Sequence, residues 1–161
     1  DLIDISTIED DLDSRIIYWK KLTFDTARTR ESRYYCERAS RELATHYFNQ
    51  AAFNEAVAAL ETSYTESTLP KSLLDYASGP ISNLTAKAES KVKGEKLADL
   101  GIEYIRSKLP DDVSTPEKKK VARDRWYHMA GLLAASRRNT EVPKFYDKIM
   151  KDEILKNQIV A

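Results

Sequence analysis

Apolar positions along the chain recur at helical spacing almost throughout. Ile8, Leu12, Ile16, Trp19 and Leu22 follow one another at steps of four, four, three and three, the repeat of one face of an α-helix. A first helix is therefore predicted from about Thr7 to Leu22, with Ser6 and Glu9 in the spacing of a capping box. The next 24 residues, Asp25 to Phe48, contain neither Gly nor Pro. Tyr35, Ala39, Leu43 and Phe48, with Cys36 and Tyr47 alongside, give them an apolar face, so the stretch reads as one long central helix. Asn49 and Gln50 form a short turn. Phe53, Ala56, Val57 and Leu60 then mark a third helix from about Ala52 to Tyr64. The alanines around it permit close approach, and the two helices together read as an αα-hairpin.

Further along, Pro70 opens a short helix through Leu73, Leu74, Tyr76 and Ala77, which Ser78, Gly79 and Pro80 are expected to stop. Pro80 begins another, carried by Ile81, Leu84, Ala88 and Val92 and ended or kinked at Gly94. Leu97, Leu100 or Gly101, Tyr104, Ile105 and Leu109 continue the helical pattern to Pro110. The stretch Pro110 to Pro116 is a loop, and Ser114 or Thr115 caps the helix after it. That helix runs to about Arg138 with Val121, Trp126, Met129, Leu132 and Leu133 as its apolar face. A last helix is predicted from about Pro143 to Leu155, burying Phe145, Tyr146 and Ile149. No stretch alternates long enough to argue for a strand. The expected fold is all-α, a single-domain bundle of about seven or eight helices over residues 1–161, with 1–6 as a disordered lead and 156–161 as a frayed tail. Aromatic and small residues in the hairpin are of the kind a tetratricopeptide pair carries. No second copy recurs at a period near 34 residues, so a repeat array is not expected.

Composition narrows the function classes. The chain has 161 residues, 26 basic and 26 acidic, for a formal net charge of zero. No whole-molecule field then attracts nucleic acid or an anionic membrane, and such binding needs a local patch. Cys36 is the only cysteine, which rules out an intrachain disulfide and makes a reducing, cytoplasmic setting the expectation. There is neither a run of about 18 apolar residues nor a signal-peptide pattern. The chain starts at Asp1 rather than Met, which reads as a piece of something longer.

Candidate chemistry is sparse. Gly79, Gly94, Gly101 and Gly131 stand alone, so no phosphate-cradling loop is built. His46 and His128 lack neighbours at metal-ligand spacing, and paired acids fall where their side chains diverge. No catalytic residue, metal or cofactor is expected, and no small-molecule substrate. An all-α enzyme using Cys36, His46 or His128 ranks last of three readings. The stretch Lys118 to His128 is the strongest candidate site. Lys118, Lys119, Lys120, Arg123 and Arg125 face Asp124 alone, and Trp126 and Tyr127 follow at once. Cations with interleaved aromatics suit phosphates and bases, and the lysines near the helix start oppose its dipole. Arg28 and Arg30 join this set, because Arg33, Arg38 and Arg41 have acids four residues away. The acidic start, with Asp10, Asp11 and Asp13, suggests a contact with a basic helix of a second copy. The leading expectation is a non-catalytic interaction or assembly module that binds protein, itself included. Nucleic-acid binding is the alternative.

Overall fold

The computed structural model describes residues 11–151, leaving aside the side chains of 146 and 148–151. Expectations placed on Ser6, Ile8, Glu9 and Asp10, and on the lead and tail, lie outside these residues. Seven α-helices and no strand are present among the described residues: α1 Leu12–Lys20, α2 Arg33–Asn49, α3 Phe53–Glu61, α4 Leu69–Thr85, α5 Lys91–Ser107, α6 Pro116–Ala135 and α7 Val142–Lys151. A π-helical turn, Lys21–Asp25, follows α1, and a 3-10 turn, Asn139–Glu141, precedes α7. Internal contacts divide the chain into two compact units, Asp1–Leu69 and Pro70–Ala161.

In the first unit, the helix predicted from Thr7 cannot pass through Asp11, whose backbone is extended (φ −77°, ψ 119°). Asp11 caps α1 instead. Its carboxylate accepts from the backbone N–H groups of Asp13 and Ser14, each at 3.3 Å. The long central helix is also shorter than its Gly- and Pro-free sequence suggested, because it starts at Arg33 rather than Asp25. Hydroxyls satisfy the backbone before it. Ser32 Oγ donates to the Ala27 carbonyl at 2.6 Å and accepts from the Thr29 N–H at 2.8 Å, while the Ser32 N–H reaches Thr29 Oγ1 at 3.1 Å. Such local bonds compete with helix. From Arg33 onward the apolar repeat prevails. Cys36, Ala39, Leu43, Ala44 and Phe48 are buried, as are Ala56, Val57, Ala59 and Leu60 of α3. The two helices pack closely together, and Trp19, Leu22 and Leu69 are also buried in this unit.

In the second unit α4 runs unbroken through Pro80, where the sequence suggested a stop and restart. An interior proline costs about 3 kcal/mol. The buried stripe Leu73, Ala77 and Ile81 crosses it without interruption, and each large apolar side chain contributes about 1.5–3 kcal/mol on burial. Gly79 eases the strain further, since a proline ring clashes with the Cβ of the residue before it. The break falls instead after Thr85, where Ser90 Oγ donates to the Leu84 carbonyl at 2.7 Å. Gly94 then lies inside α5 rather than at a terminus. A Cβ there would sit 2.6 Å from Thr85 Cγ2 and 2.9 Å from the Thr85 backbone nitrogen, so only glycine lets α5 approach the end of α4. At Gly101 an added Cβ would lie 2.8 Å from Leu132 of α6 and 3.2 Å from Leu73 of α4. The N-terminus of α6 is as its sequence indicated: Thr115 accepts from the Lys118 N–H at 3.2 Å, with Pro116 in the first turn. Trp126, Met129, Leu132 and Leu133 are buried; Val121 points outward and Ala122 takes its place.

Candidate functional site

The strongest sequence candidate, Lys118 to Tyr127, lies on the first three turns of α6. The helix separates its residues onto different sides. Trp126 is core: it is 1 % exposed, with Arg106 stacked 6.0 Å above its ring and Phe145 5.8 Å away. It has no face to offer a base. Lys118 is tethered to Asp112 at 3.2 Å. The hydroxyl and N–H of Ser114, then Lys118 itself, hold the Asp112 carboxyl down at about 2. Arg125 is half-buried and Lys119 partly so, whereas Lys120, Arg123 and Tyr127 are exposed. These three are spaced i, i+3 and i+7 and share one outward strip. The residues of the candidate thus reduce to two cations and an aromatic ring on an open helix face.

Arg28 is engaged within the fold. Its guanidinium donates to the Thr23 carbonyl at 3.2 Å, to Thr62 Oγ1 at 2.9 Å and to Ser63 Oγ at 3.3 Å. It ties the segment after α1 to the end of α3. Arg30 is exposed nearby. Of the acids proposed for an oligomer contact, Asp11 is the α1 cap, its carboxyl held low mainly by the Ser14 hydroxyl and N–H. Asp13 is exposed. Glu37, Arg41, Ser63 and Tyr64 line a cleft of about 190 Å³. That is smaller than the roughly 300–1,000 Å³ typical of ligand pockets.

The residues of the third reading do not assemble into a reactive pair on α2. Cys36 is fully buried, and His46 lies ten residues further along the same helix, about 15 Å at helical rise. His128 belongs to the second unit; burial pushes its imidazole below the ordinary value. Among the described residues, no three His, Cys, Asp or Glu side chains gather as a metal-ligand set. No helix there is long and apolar enough to cross a membrane.

A surface that the sequence reading passed over lies on α1. Its stripe of Leu12, Ile16, Trp19 and Leu22 accounted for one face, and two apolar residues off that stripe were left aside. Trp19 and Leu22 are indeed buried, but Ile17 is 69 % exposed and Phe24, in the π turn, 50 % exposed. Asp13, Ile17, Lys20, Lys21 and Phe24 are all exposed, and their spacing of i, i+4, i+7, i+8 and i+11 places them along one side. The signal was present in the residues: α1 carries apolar side chains on both faces, where a surface helix needs only one. No family model, curated protein or solved structure matches the chain.

Proposed function

We propose that the chain is a non-catalytic interaction module that binds another polypeptide through the outer face of α1. The observation that carries this is the pair Ile17 and Phe24, held in water two turns apart on the side of α1 opposite Trp19 and Leu22. Each offers about 1.5–3 kcal/mol on full burial, and only a partner's surface collects it. The charged residues on the same side, Asp13 before Ile17 and Lys20 and Lys21 between Ile17 and Phe24, supply a polar rim of the kind that fixes register in a protein interface. Nucleic-acid binding is the second reading. It rests on the strip Lys120, Arg123 and Tyr127, where an exposed ring follows two exposed cations along one face, an arrangement suited to stacking beside phosphate.

One experiment separates the two. A photoreactive phenylalanine analogue is placed singly at Ile17, at Tyr127 and, as a control, at Asp124, in the full chain expressed in cells. A discrete protein adduct from position 17, absent from 124, is the expected result. Adducts that vanish on nuclease treatment, from position 127 alone, would replace the first reading by the second. Equal labelling from 17 and 124 would end the interaction reading at α1.

A further inference from the structure

The charge pattern along the outer face of α1 is complementary to itself when reversed. Asp13 lies four residues before Ile17 and Lys21 four residues after it, and all three are exposed. We infer that the polypeptide α1 binds is a second copy of this chain, its α1 laid antiparallel across a two-fold axis at Ile17. This rests on the interaction reading above and names its partner.

In that arrangement Ile17 meets Ile17 of the other copy, and each Asp13 meets a Lys21 at both ends, about 12 Å apart along the helix. Phe24 leans back toward its own helix N-terminus, as helical side chains do, and comes against the first turn of the opposing helix. A parallel pairing would set Asp13 beside Asp13 and Lys21 beside Lys21, and like charges across a contact are unfavourable. A two-fold contact uses the same patch on both copies, so one strip with acid at one end, base at the other and an apolar centre is sufficient. A foreign helix would need its own matching pattern; a second α1 has it already. The strip is about three turns long, well below a standard interface, so the dimer is a weak one with dissociation in the micromolar range or above.

Sedimentation equilibrium on the full chain, from about 5 to about 500 µM at low salt, tests this directly. The wild-type mass is expected to climb from 18.4 kDa toward twice that value. Asp13→Lys and Lys21→Asp each place like charges at both ends and are expected to weaken the dimer at least about tenfold. The double swap, D13K with K21D, restores opposite charges and is expected to return the affinity to within about threefold. Far-UV circular dichroism of each variant checks that the helices are intact. A wild-type mass fixed at 18.4 kDa, single variants without effect, or a double variant no tighter than the singles overturns self-pairing. If the mass stays fixed while position 17 still captures a different protein, self-pairing falls and the interaction reading stands. If both fail, both fall.

Discussion

Arg137 and Gly94 are residues whose backbone positions decide their side chains. Arg137 follows the last turn of α6 at φ 62°, and Ala51 follows α2 at φ 56°. Both close the Schellman pattern of a helix end. The Arg138 N–H reaches back to Leu133 and the Arg137 N–H to Ala134, as Ala52 does to Tyr47 and Ala51 to Phe48. Glycine is the usual residue there, because a Cβ in the left-handed region costs about 1–2 kcal/mol. Arg137 is exposed, so Arg137→Gly is expected to raise unfolding stability by about 0.5–1 kcal/mol, after the added freedom of the unfolded chain is counted. Gly94 presents the opposite case. Ala is the better helix former by about 1 kcal/mol. Its methyl would nevertheless meet Thr85, backbone included. Gly94→Ala is expected to lower stability by about 1–3 kcal/mol, as overpacking does. Urea midpoints of the two variants should move in opposite directions; movement in the same direction would show that one of these contacts is misjudged. Neither role was legible in the sequence. Gly94 read as a helix end because isolated glycines usually punctuate, and nothing local revealed that Thr85 returns to touch it. Arg137 read as the last turn of a helix because a positive φ leaves no mark on an arginine.

Elements were more legible than their ends. Helical periodicity marked segments that overlap all seven described α-helices, since burial of one face is what gives the sequence its repeat, but it divided α4 at Pro80 and carried the second part across the break between α4 and α5. The boundaries moved wherever a second force competed: hydroxyl bonds around Thr29 and Ser32 shortened α2, and a continuous apolar stripe carried α4 through Pro80. In α6 the pattern found the core side but not its limits. Trp126 fits both the apolar face and the candidate site in the sequence, and its place four residues from Ala122 and three from Met129 puts it inward. His128 is a group on this helix whose titration differs between the folded and unfolded chain. Its imidazole is pushed below 6.5 first by burial and further by Lys71 and Arg125, with Asp124 and Asp75 acting against. Its Nδ1 is buried without a hydrogen-bond partner. Well above 6.5 the group is neutral both folded and unfolded, and stability does not depend on it. As pH falls through that value the unfolded chain binds the proton first, so stability is lost until the native imidazole also titrates. Replacing His128 with Asn should flatten the fall in stability between neutral and mildly acidic pH. An unchanged slope would assign the loss to other groups.

At the scale of the whole molecule, the balance of 26 positive and 26 negative side chains directs attention to local surfaces. The basic residues grouped as a candidate site in the sequence are divided among a tether, Lys118 to Asp112, an internal clamp at Arg28 and an open strip at Lys120 and Arg123. Sequence order cannot show this, because a helix sends neighbours in opposite directions. The exposed face of α1 stands apart from these: among the described residues, Ile17 and Phe24 remain 69 % and 50 % exposed, outside the buried core. Urea unfolding of Ile17→Asp, at a concentration where the chain is monomeric, tests whether this face lies open in the folded chain. An exposed residue that the fold does not need should tolerate the change, so the account predicts an unfolding free energy within about 0.5 kcal/mol of wild type. A loss of about 2 kcal/mol or more would mean that this face is covered in the folded chain itself, and would contradict the account.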